Sequence, residues 1–367
     1  MFSSGRIKEL ISFKDLHSVV GLFVLFYAFT MSNLNLTMLI VCSIFLALAI
    51  STSVHNAEVI AKRIGPSLGT LVLALSVTII EVALIVNLMK SNPVTAETIA
   101  RDTVYSGIMI VTNGIAGISI LLGGLRHKEL GFQPLGTSSL MSALATLAAI
   151  TMVLPNYTTT TVGPTYSHTQ LIFVSIASLA IYFFLIWAQT RSHKSYFDSI
   201  SASELKELEN AQYVPSNTKA IMSFIGLLLS LVVVVGLAKV LSPSIASVVT
   251  QFGAPPAAVG IIVALLVLAP ETLAALNAAR ANHLQTSLNL ALGSGAASVA
   301  LTIPVVSFYS ITSEQKLVLG LDNKSIAFLI LTFVAGSFTF GSGRTTSLHG
   351  ALHLIILASY LVLSFIP

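Results

Sequence analysis

The chain of 367 residues is 55% hydrophobic and only 9% charged, carries a net charge of +4, and has a mean hydropathy of +0.91. Water-soluble domains carry about 25% charged residues, so this composition excludes a soluble protein and predicts a chain embedded in lipid. No loop holds a dense basic run interleaved with aromatic residues, which excludes nucleic acid as a partner. The single cysteine, Cys42, excludes a disulfide framework and a cysteine-based metal site.

Eleven apolar segments, separated by charged or Gly- and Pro-rich breaks, follow one another along the chain. Most approach the roughly 20 residues needed to cross a hydrocarbon core of about 30 Å, which predicts an all-α membrane protein with about eleven transmembrane helices. The predicted spans are 16–32, 34–54, 68–90, 103–124, 137–155, 169–189, 220–241, 257–278, 284–309, 324–341 and 348–366. No small-residue cleavage site follows the first basic residues, so we expect no secretory signal.

The basic residues predict how these spans are oriented. With the N-terminus in the cytoplasm, thirteen of the 18 Lys and Arg residues fall on the cytoplasmic side and five on the outer side. The thirteen are Arg6, Lys8, Lys14, Lys62, Arg63, Arg126, Lys128, Arg191, Lys194, Lys206, Lys219, Arg280 and Arg344, and the five are Lys90, Arg101, Lys239, Lys316 and Lys324. This positive-inside bias, without a targeting segment, favours a bacterial plasma (inner) membrane.

The longest hydrophilic stretch, 190–219, predicts a cytoplasmic linker with a short amphipathic helix near 201–211. It divides the chain into an N-terminal segment with the first span (1–33), a five-helix repeat (34–189), the linker, and a second five-helix repeat (220–367). Because five is odd, two related five-helix units have opposite orientations in the membrane. This is the inverted-repeat plan common among secondary transporters.

Two glutamates, Glu81 and Glu271, are the only acidic residues that fall deep within a predicted span. They occupy the middle of two apolar segments, SVTIIEVALIV (76–86) and LVLAPETLAAL (266–276). A carboxylate at the bilayer centre costs a few kcal/mol and persists where it meets water, a cation or a proton. Two such groups in inverted repeats are predicted to converge at the membrane midplane and to exchange a cation for protons. The alternative is a protonated glutamate that only holds helices together.

Neighbouring residues supply candidate ligands. Pro270 has no N–H, so it predicts a kink beside Glu271 and frees a backbone carbonyl one turn earlier as a cation ligand. Ser106 and Ser294 offer hard neutral oxygens of the kind that Ca²⁺ and Na⁺ prefer, and Thr78 lies three residues before Glu81.

The small residues beside the two serines, Gly107, Gly293 and Gly295, have a second explanation. Glycines at helix interfaces let helices approach closely. The serines are therefore interpreted either as ligands or as part of a tight helix contact.

Other titratable residues are candidates for access or gating. Asp102, one turn before Ser106, lines the outer access or else anchors the interface with Arg101. His55 and Glu58 lie one turn apart at a cytoplasmic helix end. They either gate a proton path or are ordinary polar residues on the helix surface.

Two histidines on the last predicted span, His349 and His353, have the i, i+4 spacing that can bind zinc. No third ligand completes such a site, so packing or proton relay is favoured over zinc.

Several segments resemble the calcium/proton exchangers of the cation/Ca²⁺ exchanger superfamily. Ala57–Glu81, AEVIAKRIGPSLGTLVLALSVTIIE, resembles their first repeat with its Gly65-to-Gly69 motif. Ile120–Leu130, Leu284–Pro304 and Gly343–Leu354 are similar to the loop after the next helix, the second-repeat helix and the start of the last span. The likeness is greatest to the bacterial ChaA-type sodium-calcium/proton antiporters, through SVTIIEV, RDTVYS, IMIVT and SGRT.

The resemblance implies an eleven-span antiporter with Glu81 and Glu271 as central cation and proton ligands, supported by Ser106 and Ser294. The chain also departs from the family pattern. Where many members have Gly-Asn-Ala before each glutamate, this chain has Val77-Thr78-Ile79 and Val267-Leu268-Ala269, and His349 replaces a common glutamate. Fewer oxygens then remain for the six to eight ligands of Ca²⁺.

The function we expect is export of Ca²⁺, with Na⁺ or K⁺ as further substrates, in exchange for H⁺ by alternating access. The partners are inorganic cations, protons and the lipid bilayer, with no cofactor and no enzymatic activity. One alternative is a monovalent Na⁺ or K⁺/H⁺ antiporter without physiological Ca²⁺ transport. A cation channel with the carboxylates as a selectivity ring, and an intramembrane enzyme built on His349 and His353, are the others.

Overall fold

The computed structural model describes residues 13–31, 35–64, 66–91, 96–197, 215–251, 255 and 257–366. Apolar residues and the need to satisfy every backbone hydrogen bond without water favour helices, and the described chain is largely helical. The predicted amphipathic helix near 201–211, and Gly65 of the Gly65-to-Gly69 motif, lie outside these residues.

The helices of the first half begin with three long segments. These are α1 (Phe13–Thr30), α2 (Leu36–Ile64) and α3 (Pro66–Ser91). The next span is one continuous rod of α4 (Ile99–Met109), a π-helical segment (Ile110–Ile115) and α5 (Ala116–His127). Strand β1 (Glu129–Gly131) is followed by α6 (Pro134–Ala148), which continues into a π-helical end (Ala149–Val153) and a 3₁₀ turn (Leu154–Tyr157). Next comes α7 (His168–Trp187), which also has a π-helical end (Ala188–Ser192), and then the short helix α8 (Lys194–Phe197).

The second half repeats the alternation of long helices and short connections. It contains α9 (Asn217–Gln251), α10 (Ala257–Arg280), α11 (Leu284–Ser313), α12 (Asn323–Gly341), strand β2 (Arg344–Thr346) and α13 (Ser347–Phe365).

Each of the eleven predicted spans coincides with a helix of the structure. Among the described residues, eight helices are long and apolar enough to cross a membrane, and α10, which is bent, makes a ninth. The helix over Leu16–Thr30 is apolar but shorter. The prediction of an all-α membrane protein is confirmed, and the predicted count of eleven spans is compatible with these helices.

The boundaries differ from the predicted ones where a helix continues past its apolar stretch. The span predicted to end at residue 54 continues as α2 to Ile64, and the linker predicted from residue 190 begins with helix to Ser192 and again over Lys194–Phe197. The two short strands were not predicted.

The chain divides into two compact units, each with segments from both halves of the sequence. The first unit, Met1–Asn92 with Glu209–Val248, packs α2 against both α1 and α3. A Cβ on Gly21 would lie 2.9 Å from Val233, so α1 also lies close to α9. Arg63 at the end of α2 donates to the Asn217 side chain at the start of α9.

The second unit, Pro93–Leu208 with Val249–Pro367, has the α4–α5 rod and α11 at its centre. In the most apolar stretches of these two spans, 72% and 67% of the residues are buried, against 22–28% in α7, α12 and α13. The rod contacts α10, α11 and α13. The less buried helices therefore offer their outer faces to lipid.

Short contacts fix the two ends of the second unit. At one end, called the sheet end, β1 and β2 pair antiparallel with Leu130 opposite Thr345. The connection that precedes α12 is buried at the other end, called the loop end. There Val318 donates to the Glu97 carbonyl at 2.9 Å and Leu321 donates to the Met152 carbonyl at 2.9 Å, so its backbone groups are satisfied away from water.

Candidate functional site

Glu81 is buried on α3 in the first unit, with an exposed fraction of 5%. Thr78, three residues earlier and so on the same helix face, is also buried. The adjacent helix α2 adds the buried polar residues Thr52, Ser53 and Asn56. Sequence reasoning found the carboxylate but not these three, although their cluster at the end of an apolar span was visible.

Glu271 is buried on α10 in the second unit, with an exposed fraction of 6%. The helix bends by 55° between Ala257–Ala269 and Glu271–Arg280, so the predicted kink at Pro270 is confirmed. The missing N–H of Pro270 leaves the carbonyl of Leu266 without its helical donor.

Contacts near both ends place α10 beside the α4–α5 rod. A Cβ on Gly260 would lie 2.7 Å from the Asp102 carbonyl carbon, and at the far end Nε2 of His127 lies 3.5 Å from the Arg280 carbonyl oxygen. Glu271 lies between Gly260 and Arg280, and α10 also contacts the π-helical segment Ile110–Ile115, which lies between Asp102 and His127 on the rod.

The hydroxyl of Ser106 is hydrogen-bonded in this conformation. It donates to the Asp102 carbonyl at 2.6 Å, so the Tyr360 hydroxyl, 2.8 Å away, donates to it. Ser294 is half-buried on α11. The ligand function of both serines stays a prediction, and for Ser106 it requires exchange of the Tyr360 bond.

The glycines beside the serines differ in what surrounds them. A Cβ on Gly295 would lie 3.1 Å from Val111, which fits the close-approach explanation. No heavy atom of the described residues lies within 4 Å of a Cβ placed on Gly107 or Gly293. Gly107 is nevertheless buried, and none of its contacts with the described residues requires a glycine.

Asp102 is buried at the loop end and is paired with its neighbour. Nε and Nη2 of Arg101 each lie 2.8 Å from the same carboxylate oxygen, and Nη1 donates to the Gly320 carbonyl at 3.1 Å. The geometry favours the anchor explanation, because the pair attaches the buried connection to α4. Access through Asp102 stays a prediction.

The remaining gating candidates are His55, Glu58 and His349. His55 and Glu58 are half-buried within α2, not at its end, because the helix continues to Ile64. His349 caps α13 at the sheet end, where the Thr346 N–H lies 3.4 Å from its Nδ1. Gating by these three residues stays a prediction.

His353 is almost completely buried, and its ring nitrogens contact two polar side chains. Nδ1 lies 2.8 Å from Oδ1 of Asn113, and Nε2 lies 3.1 Å from the Thr339 hydroxyl. Within the described ranges no three His, Cys, Asp or Glu residues are placed to hold a metal ion. Asn113 was not predicted, although a lone amide inside an apolar span is a visible signal.

Buried carboxylates on apolar helices of a membrane protein, one of them beside a helix break, are typical of ion transporters. The family model described as sodium/calcium exchanger protein matches residues 34–191 and 222–366. The chain belongs to this family, and the resemblance read from its motifs is confirmed. Proteins of this family are transporters.

Named relatives are similar over most of their length. The chain is 41% identical over 319 residues to the putative ionic transporter y4hA of Sinorhizobium fredii (strain NBRC 101917 / NGR234), covering 87% of this chain and 86% of the relative. It is 35% identical over 312 residues to the sodium-potassium/proton antiporter ChaA of Escherichia coli (strain K12), covering 85% and 84%. The solved structure of native YfkE has the same fold, with a TM-score of 0.73 at 17% identity over 96% of this chain and 100% of that one.

Proposed function

We propose that this chain is a secondary active cation/proton antiporter that exports Ca²⁺, Na⁺ or K⁺ in exchange for H⁺ by alternating access. The observation that carries the proposal is the burial of Glu81 and Glu271, each at most 6% exposed, on apolar helices of an exchanger-family protein. The relative ChaA is named a sodium-potassium/proton antiporter, which supports the same reaction here.

The coupling follows from the chemistry of a buried carboxylate. Such a group is stable either neutral, with a proton, or ionised beside a cation. Proton and cation therefore compete for the same oxygens of Glu81 and Glu271. Protons from the outer side displace the cation there, and loss of those protons on the cytoplasmic side lets the next cation bind.

Export of monovalent cations alone is the second candidate. Leu268 stands where many family members have an amide before the second glutamate, and its backbone carbonyl already accepts a hydrogen bond from the Thr272 hydroxyl at 2.7 Å. The oxygen supply near Glu271 is thereby reduced, and a six- to eight-oxygen Ca²⁺ shell needs more ligands than a Na⁺ or K⁺ site. This observation favours the monovalent ions.

We also propose a bacterial inner membrane location with a cytoplasmic N-terminus. Charges of the described residues support it. The sheet end carries Arg126, Lys128, Arg191, Lys194, Arg280 and Arg344 with Glu129, whereas the loop end carries Glu97, Asp102, Glu314 and Asp322 with Arg101, Lys316 and Lys324. The sheet end is therefore the cytoplasmic end.

The proposal is tested by proton flux in everted membrane vesicles. Once the vesicle interior is more acidic than the outside, addition of Na⁺, K⁺ or Ca²⁺ should collapse part of this proton gradient in the wild type. Glu81→Gln or Glu271→Gln should abolish the response. Glu129→Gln is the matched control, because Glu129 is an exposed acid that pairs with Arg344. Normal exchange in both site variants would falsify the proposal, and cation current without proton movement would indicate a channel.

A further inference from the structure

A closed set of polar side chains lies inside the second unit, on elements other than the one that bears Glu271. Asn113 of the π-helical segment, His353 of α13, and Thr332 and Thr339 of α12 are all at most 3% exposed. Together with Met109 they are called the Asn113 network. Phe340 covers the imidazole, with ring centroids 5.5 Å apart.

The hydrogen bonds of this network suit a neutral imidazole. Nδ2 of Asn113 donates to the Thr332 hydroxyl at 2.8 Å, so its Oδ1 is the acceptor that faces Nδ1 of His353. Nδ1 of His353 therefore carries a hydrogen, and Nε2 of the neutral ring can accept from the Thr339 hydroxyl, 3.1 Å away. The Thr332 hydroxyl in turn points to the sulfur of Met109 at 3.5 Å. Every polar atom has a partner while the imidazole is neutral.

A charged imidazole has no counter-ion in this network. The elements packed against it carry titratable groups mainly at their ends, with Asp102, Tyr105 and Tyr360 towards the loop end and His349 and Arg126 towards the sheet end. Glu271 lies on α10, which contacts the π-helical segment, but both ring nitrogens of His353 already contact Asn113 and Thr339. A buried ion without a partner is costly in a membrane.

The network also holds a wide helical turn in place. In the π-helical segment the N–H of Ala116 donates to the carbonyl of Val111, five residues earlier. Segments of this kind occur mostly at functional sites and need tertiary support. Asn113 supplies that support through its hydrogen bonds to α12 and α13. Val111 of the same segment contacts Gly295 of α11.

A second hydrogen bond, between Ser106 and Tyr360, lies two helical turns away from the bond between Asn113 and His353. Ser106 to Asn113 and His353 to Tyr360 are both seven residues, and the pairs Ser106–Tyr360 and Asn113–His353 both bridge the rod and α13. The two bonds fix the register of the two helices, because a slip of one residue would break both.

We propose that Asn113 and His353 are positioning residues for cation exchange: their neutral network holds the π-helical segment against α10, the helix that bears Glu271, and His353 does not carry a transported proton. This inference rests on the proposed antiport. It decides between the two explanations of His353, packing and relay, in favour of packing with a specific structural task.

The test uses purified protein in liposomes with an internal pH dye, and measures KM and Vmax for the cation that the wild type transports, over a range of pH. Asn113→Leu and His353→Leu remove the hydrogen bonds at similar volume, and we expect the KM to rise about tenfold, as for loss of one or two buried hydrogen bonds. His353→Asn keeps a donor near Nδ1 and should restore the KM to within about threefold of wild type. Ser178→Ala, a buried hydroxyl on α7 outside the network, is the control.

The pH profile separates positioning from relay. All active variants should keep the wild-type pH dependence of exchange, since none of them removes a transported proton. A shifted profile or lost proton coupling in His353→Asn would overturn the inference, as would an unchanged KM in both leucine variants. If the leucine variants do not fold, Thr339→Val, which removes one hydroxyl at equal volume, should still raise the KM, and an unchanged value contradicts the inference.

Failure of the proposed function gives a different result. A wild-type protein without cation-driven proton flux rejects antiport itself. In that case cation-induced thermal stabilisation of the same purified variants still reports whether the network positions a cation site. Equal stabilisation of wild type and both leucine variants would then overturn the positioning role.

Discussion

Glycine has two distinct effects in the second unit, and the space around each residue tells them apart. At Gly260 an added methyl would lie 2.7 Å from the carbonyl carbon of Asp102, so the glycine allows α10 to touch α4. At Gly107 the methyl would meet no described atom within 4 Å although the residue is buried. The first glycine is needed for packing, whereas no contact with the described residues requires the second.

Alanine at these two positions should therefore act in opposite ways. Gly107→Ala should raise the free energy of unfolding by up to about 1 kcal/mol through helix propensity. Gly260→Ala should lower it by about 1–3 kcal/mol through the backbone clash. Thermal unfolding of both variants checks this. A destabilised Gly107→Ala protein, or a Gly260→Ala protein as stable as the wild type, would contradict it.

Single residues differ in how far the sequence alone identifies them. Glu81 and Glu271 stand out because an acid inside an apolar span has few explanations. Asn113 is less conspicuous, since its meaning depends on His353, 240 positions later in the chain. Contacts between distant helices are set by packing, which one sequence does not display.

The break in α10 is the element-scale feature most directly tied to the site. Pro270 removes one helical hydrogen bond immediately before Glu271 and accompanies a bend of 55°. A straight helix would return the Leu266 carbonyl to its normal partner and redirect the carboxylate.

Pro270→Ala should accordingly keep or increase stability and reduce exchange by at least about tenfold. Pro304→Ala is the matched control, because Pro304 also lies inside a long membrane helix but away from a carboxylate. Proton flux in vesicles and thermal unfolding measure both effects. Wild-type exchange in a folded Pro270→Ala protein would show that the break is only a packing feature.

Helix boundaries were predicted less well than helix identities, for a physical reason. Hydropathy marks where a segment leaves the hydrocarbon core, but hydrogen bonding continues the helix into the interface, as in α2 to Ile64 and α9 to Gln251. The π-helical segments were not predicted either, because Ile110–Ile115 has the same apolar composition as its flanks. Tertiary contacts decide such turns.

At the scale of the whole molecule, the all-α class and the order of the apolar helices followed from composition, whereas the grouping of helices did not. The two compact units combine segments from both predicted repeats, and the domain boundaries and repeat symmetry stay predictions. The convergence of Glu81 and Glu271 stays a prediction as well, since they belong to different units.

The charge difference between the ends of the second unit predicts its orientation. Cys42 is the single cysteine and is buried, so Cys42→Ser provides a background for labelling. In intact cells a membrane-impermeant maleimide should label Lys316→Cys at the loop end, and should label Arg126→Cys at the sheet end only after permeabilisation. The reverse pattern would place the N-terminus outside.

The central claim is that protons and cations compete for Glu81 and Glu271. It is tested most directly by calorimetric titration of Na⁺, K⁺ and Ca²⁺ into detergent-solubilised protein, in two buffers that differ in ionisation enthalpy. The account predicts that binding of the transported cation releases protons from the wild type. The double variant that carries Glu81→Gln and Glu271→Gln should release none. Cation binding by the wild type without proton release would contradict it.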